Sequence, residues 1–187
     1  MGRDKALKPF LDRPLIQGVA ERLKPIADEL LVTTNSPEEY AFLNLPLFTD
    51  IKPGRGALGG LYTALFSAKY SIVAVIGCDM PFANASLFKA AAEIMAREEA
   101  DVVIAKTDEG YQPFHAVYRR AACIPAIEAV IDSDKWRVDS WFHQVRTRLL
   151  TSEEIKRCDP NELAFLNVNT PEDFALAEQR ARQFPGA

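Results

Sequence analysis

Cysteine and histidine are both scarce in this chain, and what there is lies far apart. The three cysteines, Cys78, Cys123 and Cys158, are odd in number and widely spaced. That excludes a disulfide framework and a Cys-x-x-Cys metal motif, and it fits a reducing, cytoplasmic setting. The two histidines, His115 and His143, have no partner at metal or triad spacing, so both read as structural. No Gly-x-Ser-x-Gly is present. No run approaches membrane-spanning length, and charged residues 2–13 leave no room for a signal peptide, so a membrane is not expected. The 22 basic residues form no block and are outnumbered by 26 acidic ones, for a net charge of −4. Polymeric nucleic acid is therefore not an expected partner, because phosphate neutralisation needs clustered Lys and Arg. A small phosphorylated ligand, which needs only a few local cations, stays open.

What remains is a soluble-looking chain of 187 residues, 48% hydrophobic and 26% charged, enough for one self-sufficient core. The expected organisation is a single domain over 1–187. Helices are expected over 14–27, 85–98, 122–133 and 137–145, after the Gly-rich loop to about Lys69, and at the end, burying Phe174, Ala177 and Ala181. Two helix starts carry a capping box, Ser36-Pro37 with Glu39 and Thr170-Pro171 with Asp173. Strands are expected at ELLVTTN (29–35), LPLFTD (45–50), SIVAVIGCDMP (71–81), DVVIAKT (101–107), FHAVYRR (114–120, read as antiparallel), TRLLT (147–151) and AFLNVN (164–169). The unbroken apolar run ending at Asp79 reads as a strand buried on both faces. Alternating strands and helices predict a three-layer, Rossmann-like α/β fold with a mostly parallel sheet.

Ligands in such sheets sit beyond the carboxyl ends of the strands, where Asn35, Asp50, Asp79 and Asn169 all fall. Asp79 could hold Mg²⁺, which takes one or two carboxylates plus phosphate oxygens, or cap the turn that Pro81 forces. Asp50 could meet a base or ribose, or cap its own loop. Gly54-Arg55-Gly56, with Gly59-Gly60, allows close backbone approach ahead of a helix N-terminus. Lys5, with Gly2 and Arg3, could face phosphates or lie in a solvated tail. Trp136-Arg137 could line a ring-binding wall or begin a surface helix.

MGRDKAL resembles the end of the L-A-G-G-x-S-x-R-M-G-x-D-K signature of nucleotidyltransferases that act on the molybdenum cofactor. TDIKPGRGALGGL, GCDMPF, YQPFHAVYRR and FLNVNTPEDF follow in the same order. Gln112-Pro113 ahead of VYRR, together with Asn167-x-Asn169-Thr170-Pro171, is similar to the guanylyltransferase branch and less like the cytidylyltransferase one. The resemblance implies GTP as co-substrate, Mg²⁺ as cofactor and molybdopterin carrying molybdenum as acceptor. Molybdoenzymes or their chaperones would be partners downstream. It places Lys5 on the GTP phosphates, Asn35, Asp50 and Gly56 around the nucleotide, Asp79 on the metal, and Asn167, Asn169 and Arg137 toward the pterin. It also implies that the strand and L-A-G-G turn of the signature are missing ahead of Met1. Loss of a central strand would expose two inner edges and leave the sheet weak. An upstream start is the expectation. A non-catalytic binding module, and a cytidylyl or sugar-phosphate nucleotidyltransferase, are the alternatives.

Overall fold

The computed structural model describes residues 4–184; Gly2 and Arg3 of the opening motif lie outside the described residues. A short 3-10 turn at Lys5–Leu7 leads into a hairpin of β1 (Pro9–Phe10) and β2 (Arg13–Pro14). Then come α1 (Leu15–Leu23), β3 (Val32–Thr33), α2 (Pro37–Tyr40), β4 (Leu47–Phe48), α3 (Gly56–Ser67), β5 (Ile72–Ile76), α4 (Ala85–Arg97), β6 (Val102–Thr107), β7 (Gly110–Arg119), α5 (Arg120–Asp132), β8 (Thr147–Leu149), α6 (Ser152–Cys158) and α7 (Pro171–Gln183).

The alternation of side chains along the strands explains the three layers. Val102, Ile104, Ala116 and Tyr118 face α3 and α5, where they pack on Leu61, Leu65, Ile127 and Trp141. Val103, Ala105 and Val117 point the other way, onto α1 and α4, against Val19, Leu87, Phe88 and Met95. The α/β class expected from the sequence is therefore present, and its sheet is mixed. The main sheet has the order β5-β7-β6-β8, antiparallel except for β6–β8, and β3 pairs with β4 in parallel.

β5 departs from its expected setting. It is the edge of the described sheet, and Ile72 and Ala74 are exposed. Its free edge and that of β3 line one apolar cleft of about 680 Å³, together with Val19, Leu23 and Tyr40.

Several local expectations are corrected. Residues 164–169 form no strand; Leu166 N donates to Leu163 O and the segment turns instead. The helix expected over 137–145 is reduced to a 3-10 turn at Phe142–Gln144. There the Asp139 carboxylate binds the Arg137 guanidinium and Ser140 Oγ donates to Arg137 O, local bonds that compete with a helix. Ser36 makes no side-chain cap; its backbone, at φ −130° and ψ +62°, is off the extended geometry of an N-cap. The Thr170 box does form. Asp173 N donates to Thr170 Oγ1 at 3.1 Å, and Asp173 Oδ2 accepts from Thr170 N at 2.8 Å and from Asn169 N at 2.9 Å. Those backbone bonds hold the Asp173 carboxyl below its usual range. Thr170→Ala is expected to lower stability by about 1 kcal/mol in a denaturant titration.

Candidate functional site

The site is built around a turn. β5 ends at Ile76, Gly77 N donates to Phe114 O at 2.8 Å, and Met80 N closes the turn on Gly77 O at 3.2 Å. Asp79 stands on this turn with its side chain 30% exposed, neither solvated freely nor packed in hydrocarbon. Gly77 matters for a steric reason. A Cβ placed there would come within 2.7 Å of Asp79 Oδ1 and 3.3 Å of Met80 Cγ. Sequence reading quoted this glycine but did not single it out; its place two residues before the aspartate is the signal that was there.

Two distant segments converge on the turn. Lys5 Nζ lies 3.8 Å from Asp79 Oδ2 and donates to Asn169 Oδ1 at 2.6 Å. Lys5 is fixed by its neighbour, since Asp4 caps the 3-10 turn through Ala6 N and accepts from Tyr40 Oη at 2.5 Å. That contact and burial raise the Tyr40 pKa. From the other side, Val168 N donates to Asp79 O at 2.9 Å. Asn167 is half-buried beside Val168, and its Nδ2 reaches Phe165 O at 3.4 Å. Lys5, Asp79, Asn167 and Asn169 thus share one neighbourhood.

Asn35 and Asp50 form a second group, at the carboxyl ends of the paired strands β3 and β4. Asn35 Nδ2 donates to Asp50 Oδ2 at 2.9 Å, and Asp50 N donates to Asn35 Oδ1 at 3.1 Å. Among the described residues, no hydrogen bond or ion pair joins this group to Lys5 or Asp79. Next to it lies the Gly-rich loop. Gly54 and Gly56 have φ of +76° and +52°, and Gly56 opens α3. Gly59 is held so close that a Cβ would meet Lys52 O at 2.9 Å, with Asp50 Oδ2 at 4.0 Å.

Arg137 is placed elsewhere. It is exposed, its Nε and Nη2 fork onto Asp139 at 3.1 and 3.0 Å, and none of these contacts reaches Asn167 or Asn169. Trp136 beside it begins no helix; it is exposed and lies under the Arg55 guanidinium at 4.8 Å. Arg55 also pairs with Asp134, so the Gly-rich loop is tied to the 134–137 segment. Sequence reading did not anticipate this tie.

The donor set fits a cation that is shared with a phosphate. Among the described residues no cluster of three His, Cys, Asp or Glu could hold a metal by itself. A single accessible carboxylate beside a lysine is instead what Mg²⁺ uses when phosphate oxygens and water complete its shell. Among the described residues, no helix is long and apolar enough to cross a membrane.

His115, behind the turn, is 2% exposed. Its ring stacks on Phe88 at 4.2 Å and meets Phe165 edge-on at 5.2 Å. Burial pulls its pKa down to about 4, and no charged neighbour contributes. The neutral ring is therefore the form the fold keeps. Its contribution is complete above pH 6.5, the unfolded value, and is lost as pH falls toward 4. Unfolding free energy is expected to drop by up to about 3 kcal/mol over that window, and a His115→Phe chain should show a flatter profile in pH-dependent denaturation.

A chain with this α/β architecture, a carboxylate on the turn after β5, a lysine against it and a Gly-rich loop entering a helix has the parts of a nucleotide-binding transferase. The sequence pattern of the MobA-like NTP transferase domain matches residues 1–147, and the chain belongs to that family. It is 34% identical over 184 residues to a probable molybdenum cofactor guanylyltransferase of Peptoclostridium acidaminophilum, covering 96% of this chain and 83% of that one. A protein of the same name from Carboxydothermus hydrogenoformans is 34% identical over 93% of this chain and 86% of its own. The solved structure of molybdopterin-guanine dinucleotide biosynthesis protein A from Archaeoglobus fulgidus superposes with a TM-score of 0.84. It covers 98% of this chain and 93% of that one, and at 21% identity the likeness is one of fold.

Proposed function

We propose that this protein transfers GMP from GTP to the molybdenum-bearing molybdopterin cofactor, releasing pyrophosphate and forming the guanine dinucleotide cofactor. The observation that carries this reading is the convergence on one turn of Lys5, Asp79 and Asn169, the first and last of them 164 apart in sequence, in a chain of this family.

In this reading the acceptor's terminal phosphate attacks the α-phosphorus of GTP in line. That phosphate is already ionised near neutral pH, so no general base is needed. The protein's work is positioning and charge complementation. Asp79 would hold Mg²⁺, which supplies polarisation of the α-phosphate and relief of charge on the leaving pyrophosphate. Lys5 faces the triphosphate, and its bond to Asn169 aligns it. Asn35 and Asp50, already bonded to each other, present a donor and a carboxylate to the nucleoside. Gly56, at the amino end of α3, lets backbone approach the nucleotide. Asn167 and Asn169 lie toward the acceptor. Arg137 would turn to the pterin only on leaving Asp139. The reading includes a single domain over 1–187.

A thermal-shift series with GTP, CTP and UTP, each with Mg²⁺, tests the assignment. GTP at 100 times its Kd should stabilise the fold by about 2.7 kcal/mol, with CTP and UTP giving much smaller shifts. Stabilisation by CTP alone would move the reading to cytidylyl transfer, and no shift with any of them would contradict nucleotide transfer.

A further inference from the structure

The buried imidazole behind the Asp79 turn touches the two segments that frame Asp79, the 77–84 turn through Asn84 and the 165–169 loop through Phe165. His115 lies opposite Ile76 of β5, next to Phe114, whose carbonyl accepts from Gly77 N. Its Nε2 accepts from Asn84 N at 3.3 Å. Asn84 in turn caps α4 through Leu87 N and donates from Nδ2 to Cys158 O. Phe165, on the other side of the ring, belongs to the loop that sends Val168 N to Asp79 O and Asn169 to Lys5. A residue needed only to fill this volume could be phenylalanine, as its neighbours Phe88 and Phe165 are. Imidazole adds two polar nitrogens: Nε2 accepts from a backbone N–H that would otherwise point into an aromatic pocket, and the ring also bonds to its own backbone.

We propose that His115 is a positioning residue for phosphoryl transfer: through its bond to Asn84 N it fixes the 77–84 turn, and with it the Asp79–Val168 contact on which the carboxylate and the Asn167–Asn169 loop are aligned. The kinetic part rests on the guanylyltransferase reading above; the structural part does not.

Two variants of the full chain separate acceptor from filler. His115→Phe keeps the stacked aromatic contact and removes the acceptor; His115→Gln keeps an acceptor oxygen and removes the ring. Positioning through the acceptor predicts that His115→Phe lowers kcat about tenfold, with KM for GTP within about twofold of wild type. Amide hydrogen exchange at Asn84 and Val168 should rise at least tenfold, while Val103 and Tyr118 in the sheet stay protected. His115→Gln should recover most of both losses. A packing role predicts the reverse, a near-normal Phe variant and a Gln variant loosened throughout the sheet, and that result overturns the proposal. If the unmodified chain transfers no GMP, the functional reading fails on its own, and exchange at Asn84 and Val168 still decides the role of His115. If His115→Phe does not fold, near-wild-type exchange at both amides in His115→Gln supports the acceptor, and loss of it at either refutes it.

Discussion

Asp79→Asn is expected to lower kcat for guanylyl transfer by about 10³-fold, with the Kd for GTP changed by less than about tenfold. The substitution preserves shape and removes the charge a hard cation requires. The turn itself does not depend on that carboxylate. It is closed by backbone bonds from Gly77, Met80 and Val168, none of which uses the side chain. Most of the nucleoside's contacts would come from Asn35, Asp50 and the Gly-rich loop, which the substitution leaves alone. Binding and turnover should therefore separate, as isothermal titration and a steady-state assay on the same preparation will show. Turnover close to wild type would remove Asp79 from the metal.

Gly77→Ala should have the second largest effect, for a purely steric reason. The residue is not in the left-handed region, so alanine is allowed by the backbone, and stability should change by about 1 kcal/mol or less. Its new methyl, however, would fall 2.7 Å from Asp79 Oδ1. The carboxylate must move, and a displacement of about 1 Å at a reacting centre can cost about 10²-fold in rate. The double variant Gly77→Ala/Asp79→Asn should be no slower than Asp79→Asn alone, because both act on one group. Independent, additive losses would show that Gly77 works elsewhere.

The parts of this fold that the sequence made legible were those specified locally. The Thr170-Pro171-Asp173 box formed because Thr170 holds the extended backbone of an N-cap; Ser36-Pro37-Glu39 carries the same pattern and fails because Ser36, at ψ +62°, does not. The run at 71–81 does hold a strand, but β5 covers only Ile72–Ile76 and Asp79 stands on the turn after it; the strand's edge position depends on which neighbours pair with it, a long-range matter. AFLNVN looked extended because Leu166 and Val168 alternate with Asn167 and Asn169. Phe165 and Val168 belong to no strand. They are instead anchors of a turn, one on His115 and one beside Asp79. Among the candidate site residues, the strand-end rule and the resemblance named Asn35, Asp50, Asp79 and Asn169; the pairing of Asn35 with Asp50 spans only fifteen residues. The contact of Lys5 with Asn169 spans 164 and has no local signature. Arg137, named by the resemblance, is held by Asp139 two residues away, a local bond that wins in this conformation.

The central claim is that the turn bearing Asp79, with Lys5 and Asn169 against it, is the metal-phosphate end of a GTP site. Substituting Mn²⁺ for Mg²⁺ and following amide NMR signals in the presence of GTP measures this directly. Signals of Lys5, Gly77 to Met80 and Asn167 to Asn169 should broaden selectively, and only when GTP is present, while Val103 and Tyr118 in the sheet remain sharp. Nucleotide-dependent broadening centred on another part of the molecule, with these residues unaffected, would contradict it.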